Sequence, residues 1–479
     1  MKEFKTQSDL VNFYNGFENK TLGELNNFIK ENYPKILIRE NKGVAGQILE
    51  ALIGSPPNSN PSADVESLGI ELKVLPLRKI SNSIQPKERS KIKSINYNKI
   101  VHEEWISSEI RSKMQKILFL LYEHPTGKTF KESEEFIFKG TLLYELEKEG
   151  EETVKQDWEG IKNKVVSEIA DTISEGQSKV LGACTSGTGK LIEYGNSKTA
   201  KQRSYSLKHS YLKFFYEKNN SDSKYIQLNL EPKQEPQDFI LNKLNKELLG
   251  KNLKELSTLF GVDFSPKAKN SFRLLLNRIL KIDDKIKILD LELNGIELKT
   301  IPVSPENKPW EAMSFPKFSL VDLIDEEWEG ELNNEAVFRS IISNGYIFIP
   351  IIKEKFPVIK KNGKKGYSYN DWTEWKIGKS VYWKASEKEL STIQNEWERA
   401  KKIVEKGVEV YEIKQTGRTI QGNNLLKSTE TEIIHIRPHG NDSNDIDIPF
   451  LQYTARKIRI SWQSFWLNKS FTEKVIAQK

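Results

Sequence analysis

Apolar residues recur at helical spacing over residues 42–53, with Val44, Ile48, Leu49 and Leu52 on one face. That spacing predicts an amphipathic helix, and Gly54-Ser55-Pro56-Pro57-Asn58 ends it. From Leu68 to Leu75 the period drops to two. Ile70, Leu72 and Val74 point one way and Glu71 and Lys73 the other, as on a strand whose apolar face anchors it while an acid and a lysine share a cleft face. The apolar run from Ile117 to Leu121 predicts a buried strand, and the stretch from Trp158 to Ile173 a helix lying over the sheet. Together these elements predict an α/β fold with a mixed sheet flanked by helices.

The same pattern returns in the second half. Ala63-Asp64-Val65-Glu66-Ser67-Leu68-Gly69-Ile70-Glu71-Leu72-Lys73-Val74-Leu75-Pro76 aligns without a gap on Leu289-Asp290-Leu291-Glu292-Leu293-Asn294-Gly295-Ile296-Glu297-Leu298-Lys299-Thr300-Ile301-Pro302. Three further segments repeat in the same order. Glu103-Glu104-Trp105 matches Glu326-Glu327-Trp328, Asp157-Trp158-Glu159 resembles Glu396-Trp397-Glu398, and the stretch from Ser204 to Tyr211 resembles that from Ser464 to Phe471. Matches in order, with a spacing that mostly widens, indicate one domain copied and then diverged by insertion. The polar run Asn219–Ser223 and the segment Glu231-Pro232-Lys233-Gln234-Glu235-Pro236 read as a turn-rich, extended connection. The expected organisation is a first copy over residues 1–220, a linker over 221–237 and a second copy over 238–479.

Composition narrows the function. The 479 residues fit two domains, and 37% hydrophobic content with ten tryptophans supports real cores. The net charge of +7 permits a polyanionic partner. A single cysteine, Cys184, excludes an intramolecular disulfide and a cysteine-cluster zinc site. The five histidines lack metal-ligand spacing apart from His435 and His439, where Pro438 argues against a helix. No apolar run is long enough to span a membrane, and no secretory leader is evident at Met1–Lys5. A cytoplasmic enzyme or binding protein is expected. The run Gly182–Lys190 departs twice from a phosphate-binding loop, with Cys184 in place of the first glycine and Leu191 after the lysine. A flexible glycine-rich loop is expected there, and Cys184 is expected to be structural.

Two acids and a lysine are what metal-assisted phosphodiester hydrolysis requires: carboxylates to hold Mg²⁺, and a cation to orient water or offset developing charge. Asp64 and Glu71 are the expected ligands, Lys73 the catalytic cation, and Glu50, on the preceding helix, a third carboxylate.

The run Lys42-Gly43-Val44-Ala45-Gly46-Gln47-Ile48-Leu49-Glu50, followed by Asp64 and Leu68-Gly69-Ile70-Glu71-Leu72-Lys73, resembles the core signature of the MutH family of GATC-specific endonucleases. Gly295–Val303, His435–His439 and Phe465–Thr472 are similar to later segments of that family. Two such domains in one chain resemble type II restriction endonucleases of the Sau-three-A type. The resemblance implies a restriction-endonuclease core and Mg²⁺-dependent cleavage of double-stranded DNA at GATC. The cut would fall before the G, leave a 5′ overhang and be indifferent to adenine methylation. It carries the catalytic set onto Glu50, Asp64, Glu71 and Lys73. It also implies a monomer or DNA-induced dimer, and a methyltransferase in the host that it does not touch. The alternatives are a MutH-like repair nickase and a DNA-binding regulator that does not cut.

The copies differ. Asn277 stands where Glu50 does, whereas Asp290, Glu297 and Lys299 remain. Arg111 and Lys113 could face phosphate in the first copy, but the matching stretch from Trp328 to Asn334 is acidic or neutral. The first copy is therefore expected to cut and the second mainly to bind DNA as an effector. Candidate DNA contacts are Arg111, Lys113, Arg203 and Lys208 in the first copy and Arg437 and His439 in the second.

Overall fold

A computed structural model describes residues 2–56, 63–80, 83–186, 189–265, 268, 270–330, 334–359, 365–415, 418–440, 445–451 and 456–478. The first copy runs α1 (Val44–Ala51), β1 (Glu71–Ile80), β2 (Ser83–Pro86), β3 (Ser90–Ser94), β4 (Lys116–Glu123), β5 (Ile137–Glu145), α2 (Glu151–Val166), β6 (Leu181–Thr185), β7 (Arg203–Leu207) and α3 (His209–Asn220). A connection carrying β8 (Lys224–Ile226) leads into α4 (Pro236–Leu248). The second copy continues with α5 (Ser271–Ile279), β9 (Ile286–Ile288), α6 (Leu289–Asn294), β10 (Ile296–Val303), β11 (Met313–Phe318) and β12 (Gly345–Ile352). It ends with β13 (Lys355–Ile359), β14 (Lys365–Tyr369), β15 (Lys376–Ile377), β16 (Val381–Lys384), α7 (Glu387–Lys406), β17 (Ile434–Pro438), β18 (Gln463–Leu467) and α8 (Lys469–Ile476).

Each copy holds a mixed sheet and a second, three-stranded one. In the first, the strand order is β2-β1-β4-β5, with β1 parallel to β4 and Lys73 opposite Phe119. In the second, β10 is parallel to β12 with Lys299 opposite Phe348, and β12 pairs antiparallel with β15 and β16. The smaller sheets read β3-β7-β6 and β11-β18-β17. Apolar residues alternate across each mixed sheet, so each face has its own core. Ile70, Leu72 and Leu118 pack beneath α1, and Leu75, Ile117 and Phe119 pack on the opposite side with Trp158 of α2.

The repeat holds down to side-chain geometry. Trp105 meets Trp158 at 5.6 Å and 54°, and Trp328 meets Trp397 at 5.7 Å and 53°. Asp157 accepts backbone N–H groups of Lys179, Val180 and Leu181, and Glu396 accepts those of Glu432, Ile433 and Ile434. The chain is thus two tandem restriction-endonuclease-like α/β domains.

Several expected boundaries move. The helix expected over 158–173 starts earlier and stops at Val166, because its buried stripe is Val154, Trp158, Ile161 and Val165 and Glu168 takes a positive φ. The strand expected from Leu68 starts at Glu71, after a short turn closed by Gly69 at φ +61°. The glycine-rich run is not a loop where it begins. Leu181–Thr185 is a fully buried strand, and at Gly182 an added Cβ would press on Glu175 and Lys208. Gly187 and Thr188 lie outside the described residues, as does the 331–333 part of the acidic segment. The connection between copies is not wholly extended either, since β8 pairs in parallel with β9.

The domains meet through a buried ionic network that the sequence pattern did not suggest. Arg78 reaches Glu326 at 2.9 Å and Asp322 at 3.3 Å. Arg89 joins Glu335 and Glu175, both at 2.6 Å, and Arg339 returns to Glu175 at 3.2 Å. Among the described residues, no helix is long and apolar enough to cross a membrane.

Candidate active site

Glu71 and Lys73 stand one pleat apart at the start of β1, so both reach the same side of the strand. Lys73 Nζ lies 3.1 Å from one Glu71 carboxylate oxygen. Lys113 Nζ, from the short helix Glu109–Met114, lies 2.7 Å from the other. Asp64 precedes Glu71 by a tight turn in which Val65 and Ile70 exchange backbone hydrogen bonds. The turn folds Asp64 back so that its carboxylate accepts the Leu72 N–H at 2.8 Å.

Glu50 joins from the last turn of α1. Burial, then the Asp64 charge, pushes its carboxyl up to about 7, with Glu71 adding to the rise and Lys73 opposing it. Burial and Glu71 likewise hold Asp64 above its ordinary value. Tyr14, fully buried, donates its hydroxyl to the Leu49 carbonyl at 3.2 Å. Burial, with Glu50 and Asp64 adding, raises its pKa far above that of a free phenol. Tyr14 therefore stays neutral beside the acids. No motif pointed to it, because it lies on an N-terminal helix far from them in sequence.

Three carboxylates that disfavour one another's ionisation are a donor set suited to a hard divalent cation, which would relieve the repulsion. Glu50, Asp64 and Glu71 would hold it. Among the described residues, however, no three His, Cys, Asp or Glu side chains converge on one point closely enough to form a ready cage. Lys73 and Lys113 occupy the Glu71 oxygens instead.

The second copy keeps the motif but not the cluster. Lys299 Nζ pairs with Glu297 at 2.9 Å. Burial pushes Glu297 up, but Lys299, with help from Lys213 and the Asn344 amide, holds it below its ordinary value. Asp290 turns away, its carboxylate accepting the N–H of Leu228, in the connection, at 2.7 Å. Asn277 is buried and donates its amide to the carbonyls of Asp283 and Ile286.

The expected DNA contacts fall in different places. Lys113 sits in the acid cluster. Arg111 pairs with Glu151 at 2.7 Å, on the oxygen that also accepts the Trp105 indole N–H. Arg203 is buried and donates to the Ala183 carbonyl. Lys208 is buried too and donates to Ser178, with burial, then Lys384, lowering it to about 8. In the second copy Arg437 is exposed over the Trp466 ring at 5.0 Å. His439 is hydrogen-bonded to Ser464 at 2.6 Å, and burial, then Lys317, holds its imidazole below the ordinary value.

Known proteins fit this geometry. The family model described as DNA mismatch repair enzyme MutH matches residues 53–157, which include Asp64, Glu71, Lys73 and Lys113. The type II restriction enzyme Sau3AI of Staphylococcus aureus is 26% identical over 477 residues, covering 92% of this chain and 93% of that one. The DNA mismatch repair protein MutH of Vibrio vulnificus (strain YJ016) is 30% identical over 171 residues, covering 36% of this chain and 72% of its own. MutH of Actinobacillus pleuropneumoniae (serotype 5b) is 28% identical over 174 residues, covering 36% and 74%. One copy accounts for the match to MutH and the tandem pair for the match to the restriction enzyme; the chain belongs to the MutH-like restriction-endonuclease family and is a site-specific deoxyribonuclease.

Proposed function

We propose that this chain is a type II restriction endonuclease that cuts both strands of duplex DNA at GATC. The cut falls before the G, leaves a 5′ overhang, and is made whether or not the adenine is methylated. The supporting observation is the contrast between an assembled acid–lysine cluster at Glu50, Asp64, Glu71 and Lys73 and a dismantled one at Asn277, Asp290, Glu297 and Lys299. The first copy, residues 1–220, carries the cutting site. The second, residues 238–479, binds DNA through Arg437 and His439 and acts as effector. The enzyme works in the cytoplasm as a monomer or a dimer formed on DNA. It is matched by a host methyltransferase that protects the site without contacting the enzyme.

Mg²⁺, held by Glu50, Asp64 and Glu71, supplies charge neutralisation at the phosphate and a more acidic water. The chain's own groups do the rest. Lys73, tethered to Glu71, orients the attacking water and offsets charge developing on the phosphate. Lys113, tethered to the other Glu71 oxygen, keeps that carboxylate ionised and aimed. The Leu72 N–H fixes Asp64 over the strand.

A digest of plasmid DNA with Mg²⁺, with and without adenine methylation, followed by sequencing of the ends, tests the proposal. Discrete fragments that begin at GATC from both substrates are expected. Nicked circles in place of linear fragments would favour a repair nickase, and gel shift without cutting a regulator. Asp64→Ala and Lys73→Ala are each expected to abolish cutting while binding persists. Cleavage at the normal rate by either would overturn the catalytic assignment.

A further inference from the structure

The hairpin β13–β14 has no counterpart in the first copy. There the interval between β4 and β5 holds a turn and the short helix Phe130–Glu135. The second copy instead inserts two strands paired from Lys355↔Tyr369 to Ile359↔Lys365. Residues 353–369 contain six lysines and one glutamate. The hairpin is also unusually aromatic for an exposed element, with Tyr367 66% and Phe356 45% accessible.

The lysines rest on rings rather than on carboxylates. Lys355 Nζ lies 4.9 Å from the Tyr367 ring centre and 5.0 Å from that of Trp310. Lys353 Nζ lies 3.6 Å above Trp375. Among the described residues, no carboxylate forms an ion pair with Lys353, Lys355 or Lys365, and the acid whose charge reaches Lys353 is Glu311. Stacking on a ring holds an ammonium in place but leaves its charge unneutralised. Such a surface suits an extended polyanion better than an acidic protein, because the hairpin's exposed rings would otherwise face water.

Location decides which polyanion. Trp375, under Lys353, lines an open cleft of about 630 Å³ with Arg273, Lys299 and Trp466. Arg437 stacks on Trp466 at the far wall. The hairpin therefore extends the face that carries the second copy's candidate DNA contacts. We propose that Lys353, Lys355 and Lys365, backed by Trp310, Tyr367 and Trp375, form a sequence-independent seat for the phosphate backbone of duplex DNA. The inference rests on the reading that the second copy binds DNA, and it assigns the non-specific part of that binding to an inserted element.

The test uses the full-length protein and a labelled duplex without GATC, in EDTA so that nothing is cut, across a salt series read by fluorescence anisotropy. Each phosphate contact contributes about 0.9 to the slope of log affinity against log salt. Lys355→Ala/Lys365→Ala is expected to flatten that slope by about two and weaken binding roughly tenfold or more at low salt. Both lysines are exposed, so the melting temperature should not change. Arg437→Ala separates the two readings. If it weakens binding and the double variant changes neither slope nor affinity, the hairpin is not the seat, although the second copy still binds DNA. If neither variant changes binding, or the wild type does not bind, both readings fail. Weaker binding with an unchanged slope and a lowered melting temperature assigns the hairpin a structural role and also overturns the inference.

Discussion

Arg78→Met removes the centre of the interdomain network and leaves its partners in place. The guanidinium is buried, with Glu326 at 2.9 Å, Asp322 at 3.3 Å and the His124 ring nitrogen at 2.8 Å. Methionine fills the space but strands two buried acids on the facing domain. Breaking one partner out of a buried ion pair costs about 3–5 kcal/mol. The lower end is expected at pH 8, because Lys87 remains 3.8 Å from Glu326 and the Gly127 N–H still donates to Asp322. The cost should also depend on pH. Burial pushes Glu326 up to about 7 against the pull of Lys87 and Arg78. Removing Arg78 raises it further, so the folded variant holds its proton to higher pH than the folded wild type. A folded-state carboxyl pKa above the unfolded value means stability is lost as pH rises through that window. The penalty is therefore expected to be small at pH 6, where Glu326 is protonated in both proteins, and to grow as pH passes 7. Urea titrations read by tryptophan fluorescence, at pH 6 and pH 8, measure it. A penalty under about 0.5 kcal/mol at pH 8, or one equal at both pH values, would show that the network contributes little and refute the argument.

Three further outcomes follow from the same geometry. Lys113→Met should lower cleavage at least about a hundredfold while a gel shift in Ca²⁺ persists; a rate within a few-fold of wild type would remove Lys113 from the site. Asp157→Asn and Glu396→Gln should each destabilise the protein by about 1–3 kcal/mol in calorimetry, because each carboxylate satisfies three backbone donors; a neutral effect at one and a large effect at the other would show that the copies are held differently. Asn277→Glu placed in an Asp64→Ala protein should not restore plasmid cleavage, since Asp290 remains bound to the connection; recovered cutting would mean that the second site lacks only one ligand.

The parts legible in the sequence are those set by local pattern. Alternation at Leu68–Leu75 marked β1 and its cleft-facing acid and lysine, and the tryptophan pairs marked the duplication. Long-range effects were not legible. Lys113 read as a phosphate contact because it lies in a basic stretch, yet the short helix carrying it folds onto β1 and ties it to Glu71. Arg203 and Lys208 read the same way, yet their strand and helix junction is buried, so backbone carbonyls take their charge. The β6 segment read as loop because glycine and small residues dominate it, yet the Lys208 and Glu175 side chains need the space that Gly182 leaves. Lysine and arginine look alike in sequence whether they face solvent, an acid cluster or a partner domain. Only packing separates these cases.

The loss of the second site and the joining of the two copies are one physical change. In the first copy the turn returns Asp64 to its own strand, at Leu72. In the second, a donor exists that a single domain would lack, namely the Leu228 N–H of the connection, and it takes Asp290. That donor is in reach because β8 pairs with β9 immediately before Asp290. Asn277 helps to build that junction. Its amide donates to Asp283 and to Ile286, the first residue of β9, and a glutamate at this position has no proton to give when ionised. The substitution that removes the third carboxylate therefore secures the strand that draws off the second. A tandem enzyme built this way is left with one cutting centre and a neighbour whose remaining acid, Glu297, is matched by Lys299. Without a crowd of carboxylates to repel phosphate, such a site meets the backbone of DNA at lower electrostatic cost than the catalytic site does before its cation binds.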